Sequence, residues 1–318
     1  MIKFLKETEE LFYKLNIKLS VNSHIELIKS KSNEEYNKIF NNYKDHPYFF
    51  ETLYQTYNIT KSGEFYTPLT LIKFLKEYIG DISDKNIIDY AAGVGTLLNP
   101  LDAKSKTCIE LNKESSEISS LRNLNSINDN AFNHKEKYDI AIINPPYGLK
   151  EYTEYDFIHH SLKYCDRVVA ILPLGVLFAD KFKKDRKQLL ESIKTIIVLP
   201  PKTFDTTDIP VCLIDIDKIN NSNKVKMINL QDNFIKIGRR NELDKDCYKY
   251  LNILENGSSE YVDLETLVEN DYNFSVTRYV YKEEVRDHID IDALNHEISD
   301  LYKDIIATNK SVLDMLKG

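Results

Sequence analysis

Along residues 1–58 the apolar positions recur three and four apart among charges. Phe4, Leu5, Leu11, Phe12 and Leu15 predict one helix. A second helical stretch is predicted from about Asn33 to Tyr57, with a break near His46-Pro47. Gly63 opens a turn, and Pro68 sits where the first-turn residue of a helix through Tyr78 belongs. From there the period changes. Short β-branched runs predict strands at Asn86–Tyr90, Thr107–Glu110, Tyr138–Ile143, Arg167–Leu172, Thr195–Leu199 and Val211–Asp217, several of them separated by helical segments. That alternation predicts an α/β domain with a mainly parallel sheet. Val211–Asp217 and Lys224–Asn229 follow one another without a helix between them, which predicts an antiparallel edge. In the tail, Leu294, Ile298, Leu301, Ile305, Thr308, Val312 and Met315 alternate four- and three-residue steps, a heptad seam of modest length.

With 318 residues the chain has room for one large domain or two modest ones. The expected division is a helical region over 1–58, a catalytic domain over 59–240 and a largely helical region over 241–318. No run of about eighteen apolar residues exists, so no membrane span is expected. The start, Met-Ile-Lys-Phe-Leu-Lys-Glu, lacks the apolar core of a secretory signal. Cys108, Cys165, Cys212 and Cys247 lie far apart with no CxxC pair, which argues against a disulfide framework or a cysteine zinc site and for a reducing cytoplasm. The net charge of -8 matters more. A protein that grips nucleic acid alone usually has a basic balance, so a nucleic-acid role here calls for a local patch or a basic partner.

Two constellations carry chemistry. The segment Ile87–Leu98 reads as a strand, a turn holding Gly93 and Gly95, and a helix. Glycines there let the backbone approach a ligand where a Cβ would clash. Glu110 ends the next strand, twenty-one residues after Asp89, where a carboxylate can accept from ribose hydroxyls. The third small residue of a dinucleotide fingerprint is missing. A nucleoside without phosphates therefore fits better, and S-adenosylmethionine is the obvious one; the plainer reading is a glycine-containing βα turn with a surface Glu. The second constellation, Asn144-Pro145-Pro146-Tyr147, follows the strand Tyr138–Ile143 directly. Pro145 and Pro146 fix φ and remove two N–H donors, leaving a stiff loop that presents carbonyls. The Asn144 side-chain oxygen and the Pro145 carbonyl can both accept from one planar NH₂ group, and Tyr147 offers a flat face to the same ring. The plainer reading is a Pro-Pro turn with an Asn cap.

On these residues the chain resembles N6-adenine DNA methyltransferases of the gamma arrangement, and most of all the modification subunit of type I restriction-modification systems. Gly63-Glu64-Phe65-Tyr66-Thr67-Pro68 matches the family's motif ahead of the sheet, Asp89–Gly95 its Asp-Pro-x-x-Gly-x-Gly motif, and Asn144–Tyr147 its Asn-Pro-Pro-Tyr motif. The resemblance covers roughly residues 60–220. It implies a Rossmann-like class I S-adenosylmethionine-dependent fold and transfer of a methyl group to the N6 amine of adenine in double-stranded DNA. It further implies that Tyr66, Thr67 and Pro68 line the methionine end of the cofactor, with Thr67 facing its carboxylate or capping the helix that follows. Asp89, Gly93 and Gly95 would hold the cofactor from below and Glu110 its ribose, while Asp129 or Asn130 would meet its adenine. Phe204 resembles the second aromatic, facing Tyr147 across a base flipped out of the duplex; it also reads as a loop Phe covering core. Tyr90 and Ala92 depart from the family's usual Pro and Cys.

No general base is expected, since the amine proton becomes acidic only after attack. Lys181, Lys183, Lys184, Arg186 and Lys187, and the smaller pair Arg239 and Arg240, could meet phosphates or simply be solvated. No target-recognition domain is visible. The resemblance therefore implies a separate specificity subunit, and possibly a restriction subunit, with the 294–316 seam able to dock on partner helices or on its own domain. Type I modification subunits usually carry a longer N-terminal helical region. Competing readings are a protein glutamine methyltransferase, an RNA adenine methyltransferase and an inactive, cofactor-binding assembly subunit.

Overall fold

A strand that is apolar at odd and even positions alike is stable only with both faces covered. Residues 140–143, 168–172, 196–198 and 211–214 are of this kind. In the computed structural model, which describes residues 2–46, 48–57, 67–204, 207–238, 240–281 and 291–316, they lie in one large sheet. In chain order the elements are α1 (Ile2–Lys14), α2 (Val21–Ser30), α3 (Glu34–Tyr43), α4 (Phe49–Tyr57), α5 (Leu69–Ile79), β1 (Ile82–Asp89), β2 (Ala103–Glu110), α6 (Lys113–Leu121), β3 (Asn125–Asn128), β4 (Tyr138–Ile143) and α7 (Glu154–Tyr164). They continue with β5 (Cys165–Pro173), α8 (Lys183–Leu189), β6 (Ile193–Val198), β7 (Val211–Asp217), β8 (Lys224–Asn229), β9 (Phe234–Ile237), β10 (Arg240–Leu243), β11 (Ser259–Asp263), α9 (Leu264–Glu269) and α10 (Ile291–Met315).

The sheet order is β3-β2-β1-β4-β5-β7-β6-β8-β11, with β9 and β10 forming a separate hairpin. Pairing is parallel except along both sides of β7 and between β8 and β11. Alternation sends Ile88, Ala141, Ile143, Val168 and Ala170 into the core on one face. Ile87, Ile140, Ile142, Val169 and Ile171 go to the core on the other face, with Leu71 and Phe74 of α5. A third core joins α1–α4 to Val94 and Ile118. Residues 1–281 form one compact unit and 282–318 a second. In the second, the heptad positions of α10 from Leu294 to Met315 are exposed.

The mixed α/β expectation stands, with specific differences. Val211–Asp217 is antiparallel but interior: it inserts between β5 and β6, and six of its seven residues are buried. An antiparallel strand does close that side of the sheet, but it is β11, from a segment read as largely helical. β8, expected with β7 at that edge, runs parallel to β6. Helix α2 falls inside the expected helical region, between the two stretches singled out there; Ser20 caps it by accepting from Ser23 N–H. Pro68 immediately precedes α5, so the predicted helix is present. Pro47, Gly63–Tyr66, Asp205 and Arg239 lie outside the described residues.

Because β7 fills the middle of the sheet, truncating it should cost far more than its antiparallel direction suggests. Leu213→Ala, at a fully buried site, should lower unfolding free energy in urea by about 2–5 kcal/mol, whereas exposed Ile219→Ala should change it by less than about 0.5 kcal/mol. Equal effects would contradict an interior β7.

Candidate active site

Strands β1 and β4 are neighbours, and the chain leaves them in opposite directions along the sheet, β1 toward β2 and β4 toward β5. Such a switch point opens a crevice at the strands' carboxyl ends. A cleft of about 500 Å³ lies there, within the range of small-molecule sites. Its lining includes Thr67, Asp89, Gly93, Glu110, Asn130 and Asn144, brought together from five separate stretches of chain.

The floor is built by the turn after β1. Asp89 ends the strand 2% exposed, and its Oδ1 accepts from Ala91 N–H at 2.9 Å. Ala92 N–H donates to Ile109 O, tying the turn to β2. Gly93 N–H donates to Glu110 Oε2 at 2.8 Å, while Glu110 Oε1 accepts from Asn112 N–H at 2.7 Å. One carboxylate thus joins the turn to the residue that caps α6. Gly95 does not line the cleft. Its φ of 78° is left-handed, and a Cβ there would overlap Leu124 Cδ1 and lie 2.7 Å from Ser119 Oγ. It lets the turn seat against α6.

Asn144, half-buried at the end of β4, is held from both sides. Its Nδ2 donates to Thr67 Oγ1 at 3.2 Å, and its Oδ1 accepts from the Tyr147 hydroxyl at 2.7 Å. Thr67 does not cap α5; it joins the segment before the sheet to the β4 loop. Pro145 and Pro146 also line the cleft, whereas Tyr147 and Phe204 do not. Both aromatics pack with the α5-side core, Tyr147 partly buried and Phe204 3% exposed. Burial raises the Tyr147 phenol well above its ordinary value, which keeps it a hydroxyl donor. Pro68 is buried ahead of α5, and Tyr66 is outside the described residues.

Asp129 and Asn130 are placed differently. Asp129 accepts from Asn133 Nδ2 and Asn130 N–H, which hold its carboxyl below the usual range, and it stays out of the cleft. Asn130 lines the cleft and caps a short turn by accepting from Phe132 N–H. Sequence reading missed Phe132 and Tyr152, whose rings stack in the lining with centroids 4.0 Å apart. The available signal was an aromatic residue inside the polar run Asn128–His134. Thr96 was missed as well.

Electrostatically the floor is acidic. Burial pushes the Asp89 carboxyl up to about 7 against the opposing Ala91 N–H, and Glu110's charge adds to the rise. Such a carboxylate is relieved by a positive charge in the cleft.

The crossed parallel sheet with one interior antiparallel strand and this strand-end crevice define a Rossmann-like class I methyltransferase fold. The chain belongs to the N-6 DNA Methylase family, whose model matches residues 47–115 and 108–288. It is 28% identical to the type I restriction enzyme MjaVII methylase subunit of Methanocaldococcus jannaschii, over 81% of this chain and 56% of that protein. It is 23% identical to the type I restriction enzyme MpnII methylase subunit of Mycoplasma pneumoniae, over 82% and 61%. The chain spans little more than half the length of these curated relatives. Among solved structures, the type I restriction-modification methyltransferase subunit from Streptococcus thermophilus superposes with a TM-score of 0.65, at 23% identity, over 79% of this chain and 69% of that one. No helix among the described residues is long and apolar enough to cross a membrane.

Asp89 makes stability depend on pH. Its folded pKa is raised from 3.8 to about 7, so the folded state keeps a proton that the unfolded chain releases, and stability falls as pH rises through that window. Asp89→Asn should therefore raise the melting temperature of the ligand-free protein more at pH 8.5 than at pH 5.5, by about 2–4 °C for each kcal/mol relieved. A variant less stable than wild type at pH 8.5 would contradict this.

Proposed function

We propose that this chain binds S-adenosylmethionine and methylates the N6 amine of adenine in double-stranded DNA, as the modification subunit of a type I restriction-modification system. The observation that carries the reading is the clamped Asn144 beside an acidic, nucleoside-sized cleft. The cofactor fits the residues present: Glu110 suits ribose hydroxyls, Asn130 the adenine edge, and buried Asp89 a cationic group. When bound, S-adenosylmethionine supplies an electrophilic methyl group on a sulfonium.

The chain's own residues do the rest by orientation and electrostatics. A carbonyl oxygen has two lone pairs, so Asn144 Oδ1 keeps one for a substrate amine while Tyr147 uses the other. The Pro145 carbonyl is the second acceptor. Together they draw the amine's lone pair out of conjugation and stabilise the positive charge that develops on nitrogen. Thr67 fixes the amide's orientation, so the acceptor is in place before substrate arrives. Solvent takes the proton released after attack. Tyr147 and Phe204 are the aromatics offered as stacking faces for the flipped base; both pack with the α5-side core.

The relatives' names place them in type I restriction enzymes as methylase subunits, and a net charge of -8 leaves DNA binding dependent on help. We assign that help to a specificity subunit, which the exposed apolar stripe of α10 engages through helices, with a restriction subunit joining the same assembly.

The test is transfer of labelled methyl from cofactor to DNA, RNA and protein, each with and without the specificity subunit. Label should enter DNA alone, strongly only with the partner. Label in protein alone would overturn the reading. Asn144→Ala should reduce turnover by about 10²–10³-fold or more while cofactor still binds. Retained turnover would remove the proposed role of Asn144.

A further inference from the structure

The glycine turn is also held from the N-terminal helices. Thr96, at its end, lines the cleft and is 5% exposed. Its hydroxyl donates to Glu51 Oε1 at 2.7 Å. Glu51 belongs to α4 and is itself buried. Arg122 Nη2 meets the same oxygen at 2.7 Å, and the guanidinium lies 5.1 Å from the centre of the Phe50 ring. Glu51 Oε2 and Arg122 Nε are buried without a hydrogen-bond partner among the described residues.

Stability does not account for this cluster. Desolvation offsets most of the attraction in a buried ion pair, and apolar residues of similar size usually fill such a site at least as well. Unsatisfied polar atoms add further cost. What the cluster does achieve concerns the hydroxyl of a residue that lines the cleft. A hydroxyl has one hydrogen and two lone pairs. With its hydrogen given to Glu51, Thr96 Oγ1 can only accept.

We propose that Glu51 is a positioning residue that makes Thr96 an obligate acceptor, and that this acceptor recognises the protonated α-amino group at the amino-acid end of the cofactor. The inference rests on the cofactor reading above and deepens it. The surroundings agree with a cationic group: Asp89 and Glu110 line the same cleft, and the basic residue of the lining, Lys150, is on an exposed loop. The N-terminal helices are then part of the cofactor site itself, through a residue 45 positions before the one it orients.

The test titrates the full chain calorimetrically with S-adenosylhomocysteine and with its analogue lacking the α-amino group. Two variants are compared with wild type: Thr96→Val, and the paired replacement Glu51→Leu with Arg122→Met, which removes both charges together. Wild type should prefer the amino-bearing ligand. Both variants should lose about tenfold or more of that preference, the scale of a hydrogen bond to a charged group, while affinity for the deaminated analogue holds within about twofold. The paired variant should melt no lower than wild type. An unchanged preference, or equal weakening of both ligands, would overturn the inference and leave the pair a structural feature. Should the paired variant fail to fold, Thr96→Val decides alone. If wild type binds neither ligand, the cofactor reading itself fails, an outcome distinct from the others.

Discussion

Asn144 is pinned between two hydroxyls, Thr67 on one side and Tyr147 on the other, and the functional account depends on that clamp. A lone side-chain amide at a strand end would turn between orientations. The clamp fixes which edge faces the cleft. The two prolines that follow stiffen the backbone, so the acceptors are set by the fold and not by the substrate. The partners come from remote places. Thr67 stands before the sheet, 77 residues from Asn144, and lines the cleft with it, while Tyr147, three residues on, reaches Asn144 from the α5-side core.

Around the clamp the chain tolerates features that do not favour stability. Asp89 is buried with Glu110's charge adding to the cost of ionising it, and Glu51 with Arg122 forms an ion pair in the interior with spare polar atoms. Both sit at the turn after β1. Buried carboxylates are costly unless a positive charge relieves them. Gly95 belongs to the same economy of space, since only a residue without Cβ lets the turn lie against Ser119 and Leu124.

Much of this was legible in the sequence, for identifiable reasons. β4 and β7 were read with their true limits because each is a short β-branched-rich run whose few polar positions do not break the apolar signal. Asn144–Tyr147 and Asp89–Gly95 stood out because rigid or Cβ-free backbone beside a strand end has few structural uses. β3, the polar run Asn125–Asn128, carries no apolar signature and exists through its pairing with β2. β11 is likewise defined by its partner, β8. Direction of pairing is not written in a strand, so β7's interior place was hidden. The Thr67–Asn144 and Glu51–Thr96 bonds span 77 and 45 residues, and local periodicity says nothing about contacts at that range. Tyr90 and His160 show the same limit: Tyr90, where the family usually has proline, packs edge-on against a histidine seventy residues later, with centroids 4.9 Å apart.

The most direct check of the clamp is a crystal structure of the full chain with sinefungin, a cofactor analogue that carries an amine where the reactive methyl sits. The account predicts its ribose on Glu110 and its amine on the side of the cleft occupied by Asn144 Oδ1, with the contacts to Thr67 and Tyr147 still orienting that oxygen. An analogue seated away from β1 and β4, or an Asn144 amide turned out of the cleft, would contradict it.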